Sequence, residues 1–237
     1  IIIMKFRLFF LTLLLIYSCT DDRSETISAF NFLPADSRLI ININDLNNTK
    51  EILNNNKLLP FVLSTPNEIS DQISLFSNKK SDRKGLFSLS TFGKNEIAFT
   101  YIRKSNSFDT IKENDILKNQ YQKNEIFLEE ANGEKIHKVI IDEYIVSSNK
   151  DIILENIIRD YNSAKNYVDS EFNKIIKTTD SNEPFNIFTK SDNLSKLDYI
   201  LNDLSFFPES VTSWVGYDFN YSLDNLYLSG VTRITDS

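Results

Sequence analysis

The chain has one cysteine, one histidine and one tryptophan in 237 residues, and only five glycines and five prolines. Each scarcity excludes something. A single thiol cannot form an intramolecular disulfide, so an exported form must be stable through its core alone. With His137 the only histidine and Cys19 the only cysteine, a zinc or copper centre lacks its usual ligand set. Any Ser-His-Asp arrangement would have to use His137, which falls in a predicted strand between Lys135 and Lys138 and reads as an ordinary strand residue. The glycines are scattered, so there is no Gly-rich phosphate loop, and Gly and Pro are too few for a long flexible linker. Basic residues number 26 against 33 acidic ones, a net charge of −7. A chain this acidic is poorly suited to binding nucleic acid or an anionic surface.

No apolar run reaches the roughly 20 residues that a membrane-spanning helix needs. The longest, Leu8 to Tyr17, follows Lys5 and Arg7 and is interrupted only by Thr12. A basic start, a short apolar stretch and a small residue describe a secretory signal. Ile1 to Ile3 precede the only methionine, Met4, and read as upstream sequence. Ile16-Tyr17-Ser18-Cys19 resembles the bacterial lipobox: a branched aliphatic, a variable position, a small residue and the cysteine. The thiol accepts a diacylglyceryl group and the small Ser18 opens the preceding bond to a peptidase. The competing reading is a buried thiol in an N-terminal helix. Residues 1–18 are therefore expected to be a lipoprotein signal, and their removal would take the charge to −9, with 24 basic residues left against 33 acidic ones. Acyl chains on Cys19 would hold the mature chain at the membrane.

Residues 19–29 read as an acidic tether. Asp21 and Asp22 lie directly behind Cys19, and such a cluster resembles the surface-export signal of Bacteroidota-type lipoproteins; the alternative is a solvated spacer. Thr20 at the second position argues against retention in the inner membrane.

Residues 30–237 read as one α+β domain: an antiparallel or mixed sheet with helices on one face, built from recurring strand–helix units. Hydrophobic content of 41% suffices for one core. After a turn at Pro34–Ser37, strands are expected at 38–44, 86–91, 96–103, 125–130, 134–141 and 144–147. Asn132-Gly133 is the strongest hairpin signal. Helices are expected from Asp45, after Pro66, and from about Lys150 to Tyr161, with residues 105–119 a polar connection containing some helix. The strand–helix unit recurs as RLIININDLNNTKEILNN, EYIVSSNKDIILENIIRD and PFNIFTKSDNLSKLDYILND. Residues 210–221 and 225–234 read as two consecutive strands, with three residues after them. That ending suggests a domain incomplete at its C-terminus.

FLPADSRLIININDL, LLPFV, DEYIVSSNKDIILENII, EFNKIIKTTDSNEPFNIFTKSDNLSKL and VTSWVGYDFNYSLDNLYLSGVTRI together resemble an uncharacterised family of Bacteroidota-type envelope lipoproteins, a domain of unknown function. The resemblance covers most of residues 28–235 and consists of patterns rather than an invariant motif. It carries no catalytic residues across. It implies a longer parent protein, of which this chain is the N-terminal portion; the expected location is the outer membrane.

Candidate chemistry is sparse. Ser147-Ser148-Asn149-Lys150 matches S-x-x-K, and Ser191-Asp192-Asn193 follows, a combination seen in penicillin-binding enzymes. The third motif, K-T-G, is missing: Lys177-Thr178-Thr179 lacks the glycine. Chance matches occur at Ser77–Lys80 and Ser81–Lys84. Helix N-caps are better roles, Ser148 or Asn149 for one helix and Asp192 or Asn193 for another. No nucleophile, base and orienting group assemble, so the expectation is a non-catalytic protein with no cofactor and no metal. Glu129-Glu130 and Asp142-Glu143 sit at expected strand ends as solvated charges. Tyr217, Phe219 and Tyr221 share one face of an expected strand, with Trp214 on the other. Exposed, they could stack on a glycan or fill a protein interface; the alternative is a sheet face packed under helices. The expected partners are the membrane, through the anchor, and an envelope protein or glycan, with no nucleic acid.

Overall fold

The computed structural model describes residues 29–77, 83–93, 96–105, 116–163, 165, 170–190, 214–222 and 225–232. Among them ten strands form one sheet: β1 (Ser37–Ile43), β2 (Gly85–Phe92), β3 (Glu96–Lys104), β4 (Ile116–Tyr121), β5 (Asn124–Ala131), β6 (Glu134–Ile141), β7 (Tyr144–Ser148), β8 (Phe185–Lys190), β9 (Trp214–Ser222) and β10 (Asn225–Thr232). Four α-helices accompany them: α1 (Leu46–Asn55), α2 (Pro66–Phe76), α3 (Asp151–Asn162) and α4 (Ser170–Ile176). The sheet order is β10-β9-β8-β1-β2-β3-β7-β6-β5-β4, and every neighbouring pair is antiparallel. The fold is thus α+β and mainly sheet.

Every residue of β1 is buried, which follows from its place in the middle of the sheet. Leu39, Ile41 and Ile43 point into one core with Leu53 of α1 and Ile73 of α2, while Ile40 points into a second core with Leu154 of α3 and Phe172 of α4. The expectation of helices on one face is therefore corrected: α1 and α2 cover one face, α3 and α4 the other. The physical reason lies in RLIINI itself. A nearly continuous apolar run has no polar side to turn toward water, so both faces need cover. Each such side chain contributes about 1.5–3 kcal/mol when fully buried.

Local signals behave as their chemistry requires. Asp45 caps α1, its carboxylate accepting from the Asn48 amide at 3.0 Å. Asn132 and Gly133 turn the β5–β6 hairpin with φ of 54° and 81°, values that suit asparagine and glycine. Two further hairpin turns use positive φ without glycine: Gln122 and Lys123 at 45° and 72°, and Asp142 at 51°. The first of these links β4 to β5, so part of the stretch expected to be a polar connection is an edge strand. Its sequence, ILKNQY, is mostly exposed and shows little apolar alternation, which is why the pattern is hard to see.

Before β1, a 3₁₀ turn at Phe30–Phe32 sits against the α3/α4 face. Phe30 meets the Phe172 ring edge-on at 5.5 Å, and Phe32 lies 5.1 Å from Tyr144 and 5.0 Å from Tyr161. The first residues after the expected tether are thus part of the core.

Candidate functional site

Two polar features lie on the α3/α4 face of the sheet. The first is a row across four adjacent strands. Ser88, Thr100, Ser148 and His137 pair in register from β2 through β3 and β7 to β6. The three hydroxyl residues are fully buried and His137 is 6% exposed. Ser88 continues the row to Ser37 through a 2.8 Å contact between hydroxyls. Among the described residues, the Thr100 hydroxyl and His137 Nδ1 are buried without a hydrogen-bond partner. Burial, aided by the nearby Lys118, lowers the His137 pKa and keeps the ring neutral, while Asp151 pulls the other way. Asp151 is itself held by an ion pair with Lys118, whose hydrogen bond lowers its pKa.

Serine, histidine and aspartate are therefore neighbours here, which spacing along the chain did not reveal. The arrangement is not set for nucleophilic attack. The Ser148 hydroxyl donates to the Phe99 carbonyl at 2.9 Å, and accepts from the Lys150 amide at 3.3 Å. The hydrogen that a base would remove is thus directed at a backbone acceptor beneath the surface. The S-x-x-K reading also dissolves. Ser147 and Ser148 alternate to opposite faces of β7, and the Lys150 ammonium pairs with Glu96 at 2.7 Å. The N-cap of α3 is Lys150, with no side-chain cap, rather than Ser148 or Asn149; Asn149 instead accepts from the Phe99 amide at 2.9 Å. Asp192 and Asn193 lie outside the described residues, as do Ser191, Cys19, Asp21 and Asp22.

Of the two readings of the β9 aromatics, a ligand face or a packed sheet face, the structure has the packed face. Tyr217, Phe219 and Tyr221 do share a face, and Trp214 takes the other, but they pack inward. Phe219 lies 4.9 Å from the Phe185 ring, and Trp214 lies 4.4 Å from the Phe172 ring. Tyr217 is 8% exposed, and burial pushes its pKa up to about 12. Only Tyr221 is partly accessible. Aromatic alternation at a strand identifies faces; it does not say which face is covered.

The second feature is a cleft of about 200 Å³ at the end of the sheet, between Ala29 and strands β1, β2, β3 and β7. Two rows of side chains meet there. Asn42, Leu86 and Ile102 form the inner row through the β1–β2–β3 register. Asn44, Lys84, Lys104 and Tyr144 follow at the mouth. Asn42 is fixed by donating to Asn186 at 3.2 Å, and Asn44 donates to the same oxygen at 3.0 Å. Asn186 in turn donates to Asp218 at 2.8 Å and to the Asp180 carbonyl at 2.9 Å. This ladder crosses β1, β8 and β9 in register. The Lys104 ammonium pairs with Glu143 at 3.2 Å.

Among the described residues, no group of three or more His, Cys, Asp and Glu side chains gathers as a metal site, and no helix is long and apolar enough to cross a membrane. Comparison with models of known protein families, with curated proteins and with solved structures found no match.

Proposed function

We propose that this chain is a lipid-anchored protein of a bacterial cell envelope, held at the outer membrane by acyl chains on Cys19, with a non-catalytic binding role. One observation carries the reading: Ile16-Tyr17-Ser18-Cys19 directly follows a short apolar run with a basic start, and Cys19 is the only cysteine. The chain from Cys19 to Ala29, where the described residues begin, spans at most about 36 Å when extended. On this reading the sheet stays close to the membrane surface, with Asp21 and Asp22 in the connecting segment as an export signal. The resemblance to Bacteroidota-type envelope lipoproteins supports the same location. The binding role draws on the polar cleft rather than on the buried aromatics of β9, and the committed hydroxyl of Ser148 speaks against hydrolysis.

Intact mass spectrometry of the protein extracted from native membranes tests the anchor. The expected mass is that of a chain starting at Cys19 with two or three acyl groups, and Cys19→Ala should abolish both processing and acylation. A native protein carrying an unmodified thiol at Cys19 would refute the anchor.

A further inference from the structure

We infer that the cleft beside Ala29 binds a small organic oxyanion, a carboxylate or phosphate ester with a short apolar arm. Three observations converge. First, Lys84, which leads into β2, and Lys104, which ends β3, both line the mouth of the cleft. Two like charges at one mouth repel each other. A repulsive pair at the mouth of a concavity is relieved when an anion lies between the ammonium groups.

Second, the pair occurs in a chain of net charge −7. Two ammonium groups at one mouth favour entry of anions there. Glu143 offsets it in part through the 3.2 Å contact with Lys104, but both side chains are about half exposed, at 45% and 56%, and can part.

Third, the interior matches the rest of such a ligand. Leu86 and Ile102 provide an apolar floor, while Asn42 already donates to Asn44 and Asn186, and Asn44 to the Glu183 carbonyl and Asn186, so the oxyanion end stays with the lysines at the mouth. The volume of about 200 Å³ falls below the ~300–1,000 Å³ of common small-molecule sites, which limits the apolar arm to a few carbons. The position follows from the topology. α3 packs over β5, β6 and β7 and α4 over β9, so the strip of β1–β3 between them meets the Phe30–Phe32 turn instead of an α-helix.

The inference rests on the binding half of the proposal above and not on the anchor. Calorimetric titration of the full chain in detergent with butyl phosphate, butyrate and inorganic phosphate tests it, alongside co-flotation with phosphatidylglycerol and phosphatidylcholine vesicles. The expected result is saturable binding of butyl phosphate or butyrate with a Kd on the order of 1 mM or tighter. Inorganic phosphate, lacking the arm, should bind more weakly. Lys84→Gln and Lys104→Gln should each weaken binding about two- to fivefold, the range of a partly exposed ion pair. Glu143→Gln should strengthen it, because it removes a negative charge from beside Lys104, and a merely structural role would not produce opposite signs. Saturable binding of the soluble probes identifies a soluble ligand. Selective flotation with phosphatidylglycerol that Lys84→Gln and Lys104→Gln abolish identifies a lipid phosphate as the source of the same oxyanion. Flat titrations with no selective flotation, or binding that none of the three substitutions changes, would overturn the inference. Failure of the anchor is read separately, as an unmodified Cys19.

Discussion

His137 on β6 lies directly across from Ser148 on β7, both buried, and the Nδ1 atom of the imidazole has no hydrogen-bond partner among the described residues. A charged ring at this position would lose its hydration, so the folded state holds it neutral and its pKa falls below the ordinary 6.5. The unfolded chain then takes up the proton first, and folding stability must drop as the pH falls through about 6.5. Chemical denaturation between pH 7.5 and 5 should show this loss in the wild type and a shallower one in His137→Gln. The window lies above that of Asp151, whose pKa is lowered from 3.8 and whose contribution is lost only in stronger acid. Equal pH dependence of the two proteins would mean that the ring is hydrated in the fold.

Gly216 is a packing requirement of β9. A Cβ there would lie 2.7 Å from the Ile175 side chain and 3.2 Å from the Phe188 ring. Gly216→Ala should therefore destabilise the protein by about 1–3 kcal/mol, the usual cost of overpacking. Urea melts of Gly216→Ala, Ile175→Ala and the double variant would show coupling, because truncating Ile175 makes room for the new methyl. Simple additivity would place the strain elsewhere.

Asn186 ties three strands together. Its carbonyl accepts from Asn42 and Asn44 while its amide donates to Asp218 and the Asp180 carbonyl. Asn186→Ala should cost about 1–3 kcal/mol for each buried polar group it strands. Asn186→Asp should also destabilise, since it loses the donated bonds and faces the Asp218 carboxylate. Thermal melts of the two variants report this directly, and an unchanged melting temperature in Asn186→Ala would show that water replaces the ladder.

If the acidic residues behind Cys19 direct export, protease shaving of intact native cells should digest the wild type and spare Asp21→Ala with Asp22→Ala. Equal digestion of both would reduce those residues to a spacer.

Much of the sheet was legible from residue order. The 86–91 and 96–103 strands appear as β2 and β3, Asn132-Gly133 makes its turn, and Asp45 caps its helix, because each depends on neighbours within a few positions. The row from Ser88 to His137 was not legible. Its members, from Ser88 to Ser148, are spread over 60 positions and four strands, and only the register β2-β3-β7-β6 lines them up. The paired lysines of the cleft were hidden for the same reason, since Lys84 and Lys104 belong to different elements.

By itself the sequence determined where most strands and turns form and which residues alternate along them, because φ/ψ preference, capping and period-two patterning are local. It also carried the one sign of location, the run ending at Cys19. Only the tertiary structure decided which sheet face each helix covers, that the β9 aromatics are core, and which polar residues meet in a row or a cleft. Those outcomes depend on strand order, and strand order depends on how long-range contacts bury both faces of a central strand such as β1, which no local preference specifies.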